Sequence, residues 1–375
     1  MSEIKHDNME FRMLSALGML FVLSGHYSVS TLSLGGIYRY DTFHMPMFIF
    51  ISGYFFKESS GNSLKNYGIF VKKKIFTLLI PYYIWNVVYY IIAFILQKYT
   101  QMNICSKSVF SVSSFLLNPF KLANGATYNI AAWFLMALFL CHLIFISIYI
   151  ILKRLIPKKY DIALGIVIFI YSYLALHIAA SEWQSEWRIL LCRSGYLLFY
   201  YLLGYYYKKY FEFFDEKIND IYSLIFNIGL SLLVIRAFGD NTLICYDMSF
   251  YGDCVLPYFM IRAILGILFW VRISKIITPR LRDNKVMYYY STHTFSLMMH
   301  QGIAGILINR IVIFLLNKEN YLDEFRTNIW FNAFNKIQRA WMPILVSIVI
   351  LVLVYLYEKI RFIFKNILKV RCCSK

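Results

Sequence analysis

Trp133-Phe134-Leu135-Met136-Ala137-Leu138-Phe139-Leu140-Cys141-His142-Leu143-Ile144-Phe145-Ile146-Ser147-Ile148-Tyr149-Ile150-Ile151-Leu152 runs for 20 residues without a Lys, Arg, Asp or Glu, and then meets Lys153-Arg154. At about 1.5 Å per residue a helix of this length is about 30 Å long, the thickness of the hydrocarbon core of a bilayer. Comparable apolar runs lie on both sides of it. Together they fall near 11–30, 43–57, 72–97, 130–152, 161–180, 188–207, 221–238, 255–277, 293–316 and 341–364. There is no internal repeat, heptad or low-complexity linker between them. The expected fold is an all-α integral membrane protein, a polytopic bundle of about ten transmembrane helices forming one domain over 1–375.

Composition agrees. The chain has 375 residues, 60% hydrophobic and only 15% charged, where soluble domains carry about 25% charged residues. Mean hydropathy is +0.57. The first apolar run has no small-residue cleavage pattern after it, so it reads as a retained helix rather than a signal peptide.

The loops give an orientation. With the N-terminus in the cytoplasm, Lys57, Lys65 and Lys72-Lys73-Lys74, then Lys153, Arg154, Lys158 and Lys159, then Lys208, Lys209 and Lys217, then Arg280, Arg282 and Lys285, and the basic tail from Lys365 all fall inside. The opposite loops hold Glu182 and Glu186, then Asp240, Asp247 and Asp253. That alternation follows the positive-inside rule and places both termini in the cytoplasm. It also accounts for the net charge of +18 without nucleic acid as a partner. The expected location is the cytoplasmic membrane, crossed many times. The seven Cys have no metal-ligand spacing, and no metal is expected. Cys245 and Cys254 share one outer loop, where they either pair in an oxidising compartment or stay as two thiols.

Ionisable groups at membrane depth are costly and mark function by default. His26 lies late in the first apolar run and Arg12 starts it. Fourteen steps at about 100° each fall about 40° short of four turns, so the two share one helix face, about 21 Å apart along the axis. Taken alone, His26, His44, His177 and His300 are equivalent candidates, and a single helical His is more often a packing residue. Arg193 and Arg262 also fall within spans. Such Arg either line a polar cavity or pair with helix carbonyls and the Asp residues of the loop that follows Gly239.

The order of the surrounding motifs is more telling. Leu23-Ser24-Gly25-His26 is followed by Phe43-His44-Met45-Pro46-Met47-Phe48-Ile49-Phe50-Ile51-Ser52-Gly53-Tyr54. Then come Lys72-Lys73-Lys74, Leu79-Ile80-Pro81-Tyr82-Tyr83-Ile84-Trp85, Trp133-Phe134-Leu135-Met136-Ala137-Leu138-Phe139 and Ser296-Leu297-Met298-Met299-His300. This series resembles the bacterial acyltransferase family 3, ten-helix membrane proteins that acylate surface polysaccharides and glycolipids. The interval from Arg12 to His26 is about one helical turn longer than is usual there.

The resemblance implies transfer of an acyl group, acetyl in the first place and succinyl in the second, from acyl-CoA to a sugar hydroxyl. A hydroxyl is a poor nucleophile and needs a base near neutral pH, which suits the imidazole of His26. Coenzyme A is too highly charged to cross the bilayer, so acetyl-CoA as cosubstrate must be met at the cytoplasmic face, where Arg12, Lys72, Lys73 and Lys74 are the candidate cations. His44, Arg193, Arg262 and His300 are the candidate contacts to the glycan or lipid-linked sugar acceptor. The competing reading is a transporter or flippase of a lipid-linked oligosaccharide, which would bind no coenzyme A and would more often bring internal repeats.

Overall fold

The computed structural model describes residues 8–27, 34, 36–100, 116–117, 127–182, 184, 187–239, 256–317, 319–328, 331–334 and 338–373. Cys105, Cys245, Cys254, Glu186, Asp240, Asp247 and Asp253 lie outside the described residues. Within the described residues each of the ten apolar segments is chiefly helical, and there is no strand. The main helices are α1 (Met9–His26), α2 (Tyr40–Tyr54), α3 (Leu64–Lys74), α4 (Ile80–Thr100), α5 (Trp133–Leu155), α6 (Tyr160–Ser181), α7 (Trp187–Tyr206), α8 (Asp220–Phe238), α9 (Leu256–Leu281), α10 (Lys285–Thr292), α11 (Thr294–Leu315) and α12 (Trp341–Cys373).

Among the described residues six stretches are long and apolar enough to cross a membrane: Leu64–Tyr99, Trp133–Leu155, Tyr160–Ser181, Asp220–Phe238, Thr294–Leu315 and Trp341–Ile363. The others are more polar or shorter. α2 has only 15 residues. α7 carries Arg188 and Arg193, and α9 carries Arg262, Arg272, Lys275 and Arg280. These polar residues face the interior of the bundle or its ends.

α8 shows that the solvent around the bundle is apolar. Its buried residues are Asn227 and Ser231, whereas Ile221, Ile225, Phe226, Leu232 and Leu233 point outward and are exposed. A soluble protein has the reverse arrangement. Asn227 donates to the Leu265 carbonyl at 3.2 Å and Ser231 donates to the Tyr38 hydroxyl at 3.2 Å. In hydrocarbon these polar groups must find partners within the protein.

At the centre α2 and α7 touch backbone to backbone. A Cβ added to Gly53 would lie 1.9 Å from the Tyr201 carbonyl oxygen, and one on Gly204 would lie 1.9 Å from that of Phe50. Small residues allow this approach, as is usual for helix pairs in membranes. Around the pair lie buried aromatics, among them Phe43, Tyr196, Tyr200 and Tyr201.

Two local distortions matter for the site. Between α3 and α4 the chain widens into a π-helical turn, Ile75–Leu79. Pro81, two residues after Leu79, lacks the N–H that would close an ordinary turn onto Thr77. Between α10 and α11 the helix breaks at His293, with φ −113° and ψ 20°. The His293 ring lies 3.3 Å from Glu358 of α12.

The end of the bundle that holds the start of α1 is laced with polar contacts. Asn8 caps α1 by accepting from the Phe11 N–H at 3.2 Å and donates to the Tyr54 hydroxyl at 2.8 Å. Lys209 bonds Glu58 and Asp161, each at 2.8 Å. Arg272 pairs with Asp215 and, at 2.8 Å, with Asp220. Lys275 joins Asp215 at 2.6 Å.

Candidate active site

α1 delivers His26 to its last turn, and α11 meets it there. His26 Nδ1 lies 2.8 Å from Oε1 of Gln301. The next residue on α1, Tyr27, donates its hydroxyl to the Gln301 carbonyl at 2.8 Å. Gly305, one turn further along α11, has no side chain because a Cβ there would lie 1.9 Å from the Tyr27 hydroxyl oxygen. The two helices are thus clasped at one point by both the side chain and the main chain of Gln301.

His26 opens on a cavity of about 190 Å³. Its walls come from α1 (Met19, Val22), α2 (His44, Met45, Phe48), the π-helical turn (Leu78), α5 (Trp133, Phe134, Leu138) and α11 (Thr294, Phe295, Met298). The lining is chiefly apolar; its side chains that carry polar groups, among the described residues, are His26, His44, Trp133 and Thr294. His44 donates Nδ1–H to the Tyr40 carbonyl, four residues back, at 2.6 Å. His44, two residues before Pro46 within α2, thus presents a second oriented imidazole to the space that holds His26.

Arg193 lies behind this wall. It is buried, and its guanidinium carbon stands 4.8 Å above the Trp133 ring. Arg262 is also buried but lies elsewhere, donating to the Tyr258 hydroxyl at 3.2 Å and to the carbonyls of Gly36 and Ile37 at 3.3 Å. His300 does not line the cavity. Its Nδ1 lies 2.6 Å from the Tyr89 hydroxyl, and its ring packs edge-on against Trp85 of α4, with centroids 4.3 Å apart.

Arg12, at the base of the His26 face, stands with its guanidinium carbon 5.2 Å from the Tyr288 ring centroid on α10. The Arg12 and His26 face of α1 thus runs along the broken α10–α11 helix. Lys72 and Lys73 are exposed. Lys74 turns inward and donates to His142 Nε2 at 2.9 Å, and His142 Nδ1 contacts the Tyr201 hydroxyl at 2.8 Å. Lys73 and Lys74, with Lys57, Ser59, Ser60 and Asn66, line a second cavity of about 340 Å³. Lys74 and Leu78 are one turn apart, so the π-helical turn separates the cationic cavity from the one that holds His26.

A family model described as an acyltransferase domain matches residues 12–358. The chain belongs to this acyltransferase family. No curated protein and no solved structure matches it significantly. The match opens at Arg12 and closes at Glu358, so it takes in His26, His44, the three Lys, Gln301 and the His293–Glu358 contact. Family membership makes this a membrane acyltransferase with an acyl donor and an acceptor.

The residue that sequence reading passed over is Gln301. Its neighbour His300 drew attention because imidazole is the usual base, whereas a Gln inside an apolar run carries no comparable signal. Its cue was polarity at membrane depth, the same cue that singled out the Arg residues.

Proposed function

We propose that the chain is a single transmembrane acyltransferase unit of about ten spanning helices, with both termini in the cytoplasm. It moves an acyl group, acetyl in the first place, from cytoplasmic acyl-CoA to a hydroxyl of a cell-surface or lipid-linked glycan. The observation that carries this reading is the pair of imidazoles, His26 and His44, opening on one largely apolar cavity in a chain of an acyltransferase family.

In this reading the acceptor hydroxyl attacks the thioester carbonyl. The new C–O bond forms, the C–S bond breaks, and His26 takes the hydroxyl proton, which then neutralises the departing CoA thiolate. An apolar cavity strengthens each polar interaction within it and keeps out water, which would otherwise hydrolyse the thioester. Arg12, Lys72, Lys73 and Lys74 meet the phosphates of the donor. His44 faces the acceptor. Arg193 shapes the acceptor path through Trp133, Arg262 through the loop at Gly36 and Ile37, and His300 through α4.

The test is the mass of the surface glycan with and without the gene, together with transfer of labelled acetyl from acetyl-CoA in membranes containing the protein. Acetyl lost from the glycan on deletion, and labelled by the membranes, supports the proposal. A glycan that keeps its acetyl groups but no longer reaches the surface would favour oligosaccharide transport.

A further inference from the structure

We propose that Gln301 is the positioning residue that fixes the tautomer of His26, holding the proton on Nδ1 and leaving the lone pair on Nε2 for the acceptor hydroxyl. This rests on the acyltransferase reading only for what Nε2 then does; the tautomer itself follows from the hydrogen bonds.

The amide of Gln301 has one orientation that satisfies its neighbours. Its Nε2 donates to the Met298 carbonyl at 2.9 Å, and its Oε1 faces His26 Nδ1 at 2.8 Å. Turning the amide over would set Oε1 against the Met298 carbonyl, two acceptors facing each other. Oε1 accepts and cannot donate, so the proton of this bond belongs to His26 Nδ1. In a neutral imidazole the other nitrogen then holds the lone pair. Gln301 is outside the cavity lining while His26 is within it.

The same residue sets the height of α1 against α11. The Tyr27 hydroxyl binds the main-chain carbonyl of Gln301, not its side chain. A substitution at 301 can remove the imidazole partner and leave this clasp, and the Gly305 contact beneath it, in place. That separates orientation of His26 from folding of the bundle. A general base in the wrong tautomer presents N–H where it should present a lone pair, so its contribution, about 10²- to 10⁴-fold in rate, is lost without loss of the residue.

The experiment uses the full-length protein in nanodiscs, labelled with ¹⁵N in its His rings, with the His26 signals assigned by difference from His26→Gln. Transfer of labelled acetyl from acetyl-CoA is measured in parallel in membranes that carry the native glycan. The expected result is a proton on Nδ1 of His26 in the wild type and loss of that preference in Gln301→Met. That variant should lose about 10²-fold or more in kcat, with KM for acetyl-CoA unchanged. Gln301→Glu can still accept from Nδ1–H and should restore the tautomer, with the rate only partly regained because its second oxygen faces the Met298 carbonyl. A wild-type proton on Nε2, or an unchanged tautomer in Gln301→Met, would overturn the proposal. A tautomer that responds to Gln301→Met in a protein that transfers no acetyl would support the pairing and instead overturn acetyl transfer from acetyl-CoA.

Discussion

His26 and Gln301 are 275 residues apart in sequence, yet Nδ1 of one lies 2.8 Å from Oε1 of the other. The contact joins the first helix of the chain to the second-last long one. It makes the base candidate a property of two helices, with the cavity between them and their neighbours.

Removing the imidazole should remove transfer while leaving the bundle intact. For His26→Ala the expected loss is about 10²- to 10⁴-fold in kcat, read as labelled acetyl incorporated by membranes. The size-exclusion profile in detergent should match the wild type, because His26 contributes one of several contacts between α1 and α11. Full transfer by a folded His26→Ala protein would remove it from the mechanism.

The α2–α7 contact has no room for a methyl group. Gly53→Ala and Gly204→Ala would each set a Cβ 1.9 Å from a carbonyl oxygen of the facing helix. Backbone cannot swing aside as a side chain can, so each change should cost at least the ~1–3 kcal/mol typical of overpacking. Thermal unfolding in detergent should show a clearly lowered Tm for both. Gly68→Ala is the control, since a Cβ there meets nothing within 4 Å.

The acid limb of stability should come from the polar lacing at the Arg12 end. Burial alone would raise the Glu58 carboxyl, but hydrogen bonds from Lys209 and Tyr205 hold it below its ordinary value. Asp215 is likewise pushed up by burial and held down overall by Lys275, Tyr207 and Arg272. A carboxylate depressed in the folded state stabilises it above the unfolded value, about pH 4, and that stability is lost as pH falls through the folded value. Burial would lower Lys209, yet its bonds to Asp161 and Glu58 raise it overall. Its contribution is complete below about pH 10 and is lost only in stronger alkali. Tm should therefore hold steady through neutral and mildly acidic pH and fall below about pH 4. Lys209→Met should lower the neutral plateau and flatten the acid drop; an unchanged pH profile in that variant would count against the cluster.

The cationic cavity, with Lys72 next to it in sequence, should act on donor affinity rather than on the chemical step. Lys72→Gln and Lys73→Gln remove exposed charges, so each should raise KM for acetyl-CoA by about two- to five-fold, as expected of screened ion pairs. The effect should shrink as salt rises, with kcat nearly unchanged. Lys74→Gln should cost more, because it also removes one of the two hydrogen-bond partners of buried His142. Equal KM values at low and high salt would show that these Lys do not meet the phosphates.

The helices were legible from the sequence because hydropathy is a local property. Twenty mostly apolar residues from Trp133 to Leu152 are enough to specify a helix that can cross a bilayer. The same local reading set Arg12 and His26 on one face of α1, and the structure lays that face along α10 and α11. Lys72-Lys73-Lys74 announced a cationic end in the same way. What the chain alone did not decide was which face of each helix meets which neighbour. His300 and Gln301 are adjacent in sequence but about 100° apart around α11, and only packing turns Gln301 to His26 and His300 to Tyr89 and Trp85. Arg262 likewise lies beside the carbonyls of Gly36 and Ile37, more than 200 residues away, a contact that its own neighbours in sequence do not announce. Apolar length is written into consecutive residues; the angle at which a helix presents them is fixed only when α1, α2, α5 and α11 close around one cavity.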